Sequence, residues 1–121
     1  MLRVYLVDDS PPVRERIEAM LASIPCLQVI GQAADADAAV RGILDGQPDV
    51  VVLDLKLGEA SGFDVLRALR EAGSRAEVYM LSNFATPAYR RRAKQLGARG
   101  FFDKSTEFEH LRAVIAARSA E

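Results

Sequence analysis

The sequence holds a single cysteine, Cys26, so no disulfide can form within the chain, and a reducing cytoplasm is the expected location. It has no Cys/His cluster at zinc-ligand spacing and only one histidine, His110. No apolar run approaches the length of a membrane span. Asp8 and Asp9 interrupt the amino-terminal apolar stretch where a signal peptide would continue. Neither sign of charge dominates, since 16 Lys and Arg stand against 17 Asp and Glu. That balance gives no chain-wide attraction to nucleic acid or to an anionic membrane, and neither is expected as a partner. Low-complexity tracts, linkers and solenoid-length repeats are missing too. What remains is 121 residues, half of them hydrophobic, enough to bury one core and form one domain over residues 1–121.

What is present is alternation. Val50-Val51-Val52-Leu53 is an aliphatic run, three of its members β-branched, as in a strand buried on both faces. Asp54 follows it directly. Upstream, Arg3–Val7 predicts a strand running into Asp8-Asp9. Ser10-Pro11-Pro12 predicts a helix start with Ser10 as its cap. Val13, Ile17, Met20, Leu21 and Ile24 form that helix's apolar stripe, and Pro25 ends it. Leu27–Gly31 reads as a weaker, more polar strand. Asp35 predicts the cap of a second helix that buries Ala36, Ala39, Val40 and Ile43 and ends near Gly46 and Pro48.

After Asp54, residues 55–60 read as a loop. Ser61-Gly62-Phe63-Asp64 predicts a capped third helix that buries Phe63, Leu66 and Leu69 and stops at Gly73. Glu77–Leu81 is the fourth strand, ahead of Ser82. Thr86-Pro87 opens a fourth helix with Tyr89, Ala93 and Leu96 on one face, closed by Gly97. Phe101-Phe102 lie in a fifth strand, followed by Asp103-Lys104. Thr106 with Glu109 predicts the cap of a last helix that buries Phe108, Leu111, Val114 and Ile115. Five strand–helix units predict an α/β fold, a parallel sheet with helices on both faces.

The carboxyl ends of these strands carry Asp8 and Asp9, Asp54, Ser82 and Lys104. Taken singly they are turn acids, a cap serine and a solvated lysine. A doubly wound sheet gathers strand ends in one crevice, where ligands bind. Three carboxylates there repel one another and require positive charge. Lys104 supplies one unit. A hard divalent cation supplies more, and Mg²⁺ is the usual one when carboxylates share an ion with a phosphate. Ser82 and Lys104 are the donors a phosphoryl group requires. The pattern points to phosphoryl chemistry at Asp54.

These residues, together with Gly100-Phe101-Phe102-Asp103-Lys104, resemble the receiver domain of two-component response regulators over essentially the whole chain. The resemblance implies a flavodoxin-like (βα)5 doubly wound sheet of strand order 2-1-3-4-5. It implies that Asp54 is the phosphoacceptor for a sensor histidine kinase or a histidine phosphotransfer protein. It implies Mg²⁺ as cofactor, with Mn²⁺ as a substitute. Asp9 would be a direct ligand and Asp8 would bind mainly through water, with Asp54 and the backbone carbonyl of Lys56 as further ligands. Lys104 would pair with one phosphoryl oxygen and Ser82 with another. Phe101 would be the aromatic switch that rotates inward as Ser82 moves. The fourth helix, fifth strand and fifth helix would form the signalling face, toward an unidentified downstream protein or a second copy in a homodimer. Such a module is not an enzyme on other molecules; it catalyses only its own phosphotransfer and dephosphorylation.

The sequence also departs from that family. Leu57-Gly58 stands where a proline is usual, which predicts a more flexible loop. Asn83 follows Ser82 in place of a small residue, and either restricts access to Asp54 or bonds the phosphoryl group. Ser105 stands where Lys104 is often followed by proline. Lys56 and Phe84 flank the acceptor and read either as a shield that slows phosphoryl loss or as ordinary loop residues. The basic run Tyr89–Lys94 reads as a solvated helix face. His110 reads as a surface residue of the last helix and not a phosphodonor.

Three other functions stay open. The chain stops just after the fifth helix, so it can be the receiver part of a longer DNA-binding regulator. A binding-only pseudo-receiver is opposed by the intact Asp9, Asp54, Ser82 and Lys104. A Mg²⁺-dependent aspartyl phosphatase of the haloacid dehalogenase type wants an acid/base Asp where this chain has Lys56.

Overall fold

Period-two alternation in the strands assigns their side chains to opposite sides of one sheet. The computed structural model describes all residues, Met1–Glu121. In chain order its elements are β1 (Leu2–Val7), α1 (Pro11–Ala22), β2 (Leu27–Ala33), α2 (Ala36–Gly46), β3 (Val50–Leu53), β4 (Lys56–Leu57), β5 (Ala60–Ser61), α3 (Gly62–Glu71), β6 (Glu77–Ser82), α4 (Pro87–Gln95), β7 (Gly100–Asp103) and α5 (Phe108–Ser119). The five-stranded sheet is parallel throughout and runs β2-β1-β3-β6-β7. With the short β4 and β5 set aside, this is the expected flavodoxin-like order 2-1-3-4-5.

On one face Val4, Leu6, Val50, Val52 and Leu81 pack with Ile17 and Leu21 of α1 and Leu111 and Ile115 of α5. On the other, Tyr5, Val7, Val51, Leu53 and Met80 pack with Ile43 of α2, Leu66 of α3 and Ala93 of α4. Every residue of β3 is buried, as its unbroken aliphatic run predicts. Each such side chain contributes about 1.5–3 kcal/mol through burial. The edge strand β2 is only half-buried, which accounts for its polar residues. No helix is long and apolar enough to cross a membrane.

Three caps form as the sequence predicts. Asp35 accepts the Ala38 N–H at 2.8 Å, Thr86 accepts the Tyr89 N–H at 3.1 Å, and Ser61 and Asp64 form a reciprocal capping box.

Several local expectations are corrected. Ser10 occupies the cap position of α1 but makes no side-chain cap bond. Pro12 lacks one of the amides it would serve, and the Ser10 N–H is itself held by Asp8 Oδ1 at 2.9 Å. Helix α1 ends at Ala22, ahead of Pro25, where Ser23 Oγ donates to the Met20 carbonyl at 2.6 Å. Thr106 does not cap α5. Glu107 stands at that cap position, and Asp103 Oδ1 accepts the Thr106 N–H at 3.3 Å. Tyr89 is 41% exposed. Its ring meets that of Phe63 at 6.0 Å, outside the core.

The predicted loop after Asp54 is a hairpin, with β4 and β5 pairing antiparallel across Gly58-Glu59. Gly58 has φ of 62°, the left-handed geometry that two-residue hairpin turns demand at their first position. The segment thus contains a two-residue turn that the loop reading did not include.

Candidate functional site

The strand order reverses between β1 and β3, so a crevice opens beyond their carboxyl ends. One backbone device places the residues there. The Asp8 N–H donates to the Ala33 carbonyl at 3.1 Å, Asp54 to Val7 at 3.0 Å, and Lys104 to Ser82 at 3.0 Å. Each site residue is thus tied to the last residue of the neighbouring strand. Asp8, Asp54 and Ser82 are the only buried polar residues of the chain, and all three stand at this end of the sheet. Such a concentration is costly without pairing.

Lys104 Nζ donates to Asp54 Oδ2 at 2.9 Å and lies 2.8 Å from Asp8 Oδ2. The second contact is an ion pair without hydrogen-bond alignment, and Asp8 Oδ2 is buried with no hydrogen-bond partner. Asp9 is exposed, and its Oδ2 accepts the Gly58 N–H at 3.1 Å. One carboxylate oxygen from each of Asp8, Asp9 and Asp54 lies within 4.8 Å of the others. Burial pushes the Asp54 carboxyl above its ordinary range and the Asp8 charge adds to this, while Lys104 opposes it by hydrogen bond and charge. Burial pulls Lys104 down, but Asp8 and Asp54 outweigh it and raise its pKa, so Lys104 is a cation at neutral pH.

Ser82 Oγ accepts the Phe84 N–H at 3.0 Å, an inward turn of the loop that follows β6. Lys56 and Phe84 are exposed beside the crevice, with Lys56 Nζ 5.7 Å from the Phe84 ring centroid. A groove of about 380 Å³ lies between them and Tyr89, floored by Leu55 and Phe63. A larger cavity, about 480 Å³, sits at the opposite end of the sheet around Asp49 and Glu77, away from the carboxylates. Asn83 is exposed and Phe101 is buried.

This set of strand-end residues has relatives. The family model for the response regulator receiver domain matches residues 4–116. The chain belongs to that family. The receiver domain of the putative response regulator NarL from Mycobacterium tuberculosis superposes with a TM-score of 0.89 at 29% identity, covering 98% of this chain and 96% of that one. A LuxR-family two-component response regulator from Aurantimonas sp. SI85-9A1 gives 0.90 at 33% identity, with 98% and 84% covered. Among curated proteins, the protein-glutamate methylesterase/protein-glutamine glutaminase 3 of Geobacter sulfurreducens is 39% identical over 106 residues, 88% of this chain but 28% of that protein. The response regulator GacA of Pseudomonas aeruginosa is 32% identical over 111 residues, 92% of this chain and 52% of GacA. The chain therefore spans between about a quarter and about half of these curated relatives.

In this receiver domain the structure brings Asp8, Asp9, Asp54 and Lys104 together; Ser82 ends the neighbouring strand β6, Asn83 and Phe84 follow it, and Lys56 lies two residues past Asp54. Phe101 lies one strand further out, on β7. His110 is exposed on α5, edge-on to Phe102 at 5.2 Å.

Sequence reasoning missed three supports. Arg14 donates to the Asp8 carbonyl at 2.6 Å. Gly62, which reads only as the first residue of a helix, backs directly onto Asp54: a Cβ there would overlap the Asp54 carbonyl oxygen. Arg90, counted in a solvated basic run, turns inward onto Phe101 and Glu107. The spacing of α4 gave no sign of this, because its partners lie on β7 and at the cap position before α5.

Proposed function

We propose that residues 1–121 act as a phosphorylatable receiver in the cytoplasm, taking a phosphoryl group on Asp54 from a histidine kinase or histidine phosphotransfer protein. The observation that carries this reading is the buried Asp54 carboxylate, hydrogen-bonded to Lys104 and set beside Asp8 and Asp9. An Asp54 carboxylate oxygen attacks the phosphorus of the donor's phosphohistidine. The new O–P bond forms as the P–N bond breaks, and the electron pair leaves with the imidazole, which is protonated. Lys104 shifts its hydrogen bond to a phosphoryl oxygen, and the Ser82 hydroxyl donates to another. The chemistry asks for alignment and charge more than for acid–base work. The chain is not an enzyme on other molecules.

Asp8, Asp9, Asp54 and the Lys56 backbone carbonyl would hold Mg²⁺, with Mn²⁺ as a substitute. The fit rests on the close approach of the three carboxylates and on Asp8 Oδ2, a buried oxygen whose one close partner is the Lys104 ammonium. When bound, the cation offsets the carboxylates and the phosphoryl oxygens. The phosphoryl group then biases the loop after β6 and the Phe101 side chain, changing the face formed by α4, β7 and α5 for a downstream protein or a second copy. A second reading is that this receiver is one part of a longer DNA-binding regulator; what supports it is that the chain covers only 52% of GacA.

The test is incubation with acetyl phosphate and Mg²⁺. The expected result is a mass gain of one phosphoryl group, labile to hydroxylamine, mapping to the peptide that contains Asp54 and absent in EDTA. No gain, or a gain elsewhere, sinks the proposal.

Lys56 and Phe84 set how long the group stays, by placing a cation and an aromatic ring at the mouth of the site. Once donor is removed, Lys56→Ala and Phe84→Ala each shorten the phosphoryl half-life several-fold, about 1 kcal/mol of barrier. Unchanged half-lives would return both residues to the status of ordinary loop side chains. Asn83, also at the mouth, acts in the same sense by limiting access to Asp54.

A further inference from the structure

Of the three consecutive arginines on α4, Arg91 and Arg92 are exposed while Arg90, its side chain still 38% exposed, folds back onto neighbouring segments. Its guanidinium reaches three separate segments. Nε donates to the Ala85 carbonyl at 3.2 Å, in the loop between β6 and α4. Nη1 donates to the Phe101 carbonyl of β7 at 2.8 Å. Nη2 pairs with Glu107 Oε1 at 2.6 Å, at the start of α5. That same Glu107 oxygen accepts the Asp103 N–H at 3.0 Å, and the Glu107 N–H returns to the Asp103 carbonyl at 2.9 Å. Asp103 immediately precedes Lys104.

Two chains of contacts therefore start at one guanidinium. One runs through Glu107 and Asp103 to Lys104, whose Nζ holds Asp54. The other runs through Ala85 to the loop that begins at Ser82, where Phe84 bonds the Ser82 hydroxyl. The rigid fork of arginine suits this, because one planar group serves several acceptors in fixed directions. A lysine at the same place would be a single point charge.

We propose that Arg90, acting through Glu107 and Ala85, is a positioning residue of the acceptor site, which sets Lys104 and Ser82 in place around Asp54. The inference rests on Asp54 as acceptor. It gives α4 an indirect mechanical tie to both donors of the site, so a partner that displaces α4 alters phosphorylation at Asp54.

The test compares the wild-type chain with Arg90→Met, Arg90→Lys, Glu107→Ala and, as a control on the same helix, Arg91→Met. Beryllofluoride with Mg²⁺ is the probe, its binding followed by ¹⁹F NMR. Arg90→Met weakens its binding about 10-fold, the usual scale for a residue that orients a binding group without touching the ligand. Glu107→Ala gives part of that loss, Arg90→Lys recovers only part of it, and Arg91→Met leaves binding unchanged. Added to Lys104→Met, Arg90→Met brings much less than its own 10-fold, since its main path is already cut.

Amide hydrogen exchange without ligand provides an arm independent of phosphoryl chemistry. In Arg90→Met, exchange quickens at Phe84, Asp103 and Lys104 and stays unchanged in β1 and β3. Equal binding by Arg90→Met, full recovery with Arg90→Lys, or faster exchange spread evenly over the sheet overturns the proposal. Failure of the wild-type chain to take up beryllofluoride counts against the acceptor reading instead. The exchange pattern then still decides whether Arg90 holds these segments.

Discussion

Lys104→Met is expected to lower the rate of Asp54 phosphorylation by acetyl phosphate by about 10²–10³-fold, the scale for removing one preorganised donor from a site where charge develops. The same change destabilises the fold by about 3–5 kcal/mol, because it leaves the Asp8 and Asp54 carboxylates buried without their cation. Lys104 is only 12% exposed, and the two acids are more deeply buried still, so solvent cannot replace it.

The pH dependence has a definite sign. In the wild-type chain Asp8 and Asp54 raise Lys104 above its ordinary 10.5. The stability from that pairing is therefore complete below 10.5 and is lost as pH rises through the raised value. The variant lacks this alkaline loss. Asp54 is already raised above its ordinary 3.8 by burial and the Asp8 charge, and without Lys104 it rises further. In the window above 3.8 the folded variant then binds more protons than the unfolded chain. Its stability falls as pH rises through that window and returns on acidification. Urea unfolding at several pH values checks this. Millimolar Mg²⁺ is expected to restore part of the deficit at neutral pH by bringing positive charge back to the carboxylates. A variant as stable as the wild type in EDTA at pH 7 would show that the three charges do not depend on one another.

Gly62→Ala is expected to be nearly as damaging, although alanine is the better helix former by about 1 kcal/mol. The added methyl would overlap the Asp54 carbonyl oxygen and press on Leu55 Cα and Met80 Cε. The first two are backbone atoms with little room to yield. The Asp54 N–H is fastened to Val7, and the Gly62 N–H donates to the Leu55 carbonyl at 2.5 Å. Overpacking of this kind costs about 3 kcal/mol, the upper part of its range, and lowers the urea midpoint by roughly 1–2 M. Relief comes most readily by shifting Asp54 itself, so phosphorylation falls by about 10²-fold, as a misplacement of 1 Å can bring. A Gly62→Ala chain with a wild-type midpoint and phosphorylation rate would mean that the backbone behind Asp54 yields freely.

Much of this site is legible in the sequence because its main parts are local. A buried strand announces itself by an aliphatic run, and the residue after it stands at its carboxyl end. Asp8, Asp54, Ser82 and Lys104 are found in this way, as are the caps at Asp35, Ser61 and Thr86, each of which acts within one helical turn. The less local features were harder to see. The β4–β5 hairpin was available from Leu57-Gly58-Glu59-Ala60, a glycine at the turn position between apolar residues, but the expectation of an open loop hid it.

By itself the sequence determined the alternation of strands and helices, the double burial of β3 and the chemistry at each strand end, since periodicity and residue type act within a few positions. Only the tertiary structure decided that Lys104 lies between Asp8 and Asp54, that Gly62 touches the backbone of Asp54, and that Arg90 binds Phe101 and Glu107 while its two neighbours face solvent. These are distances between segments that meet only when the sheet is assembled. Residue type gives no measure of them, because a side chain's partners across the fold are chosen by where the helices and strands carrying them come to rest.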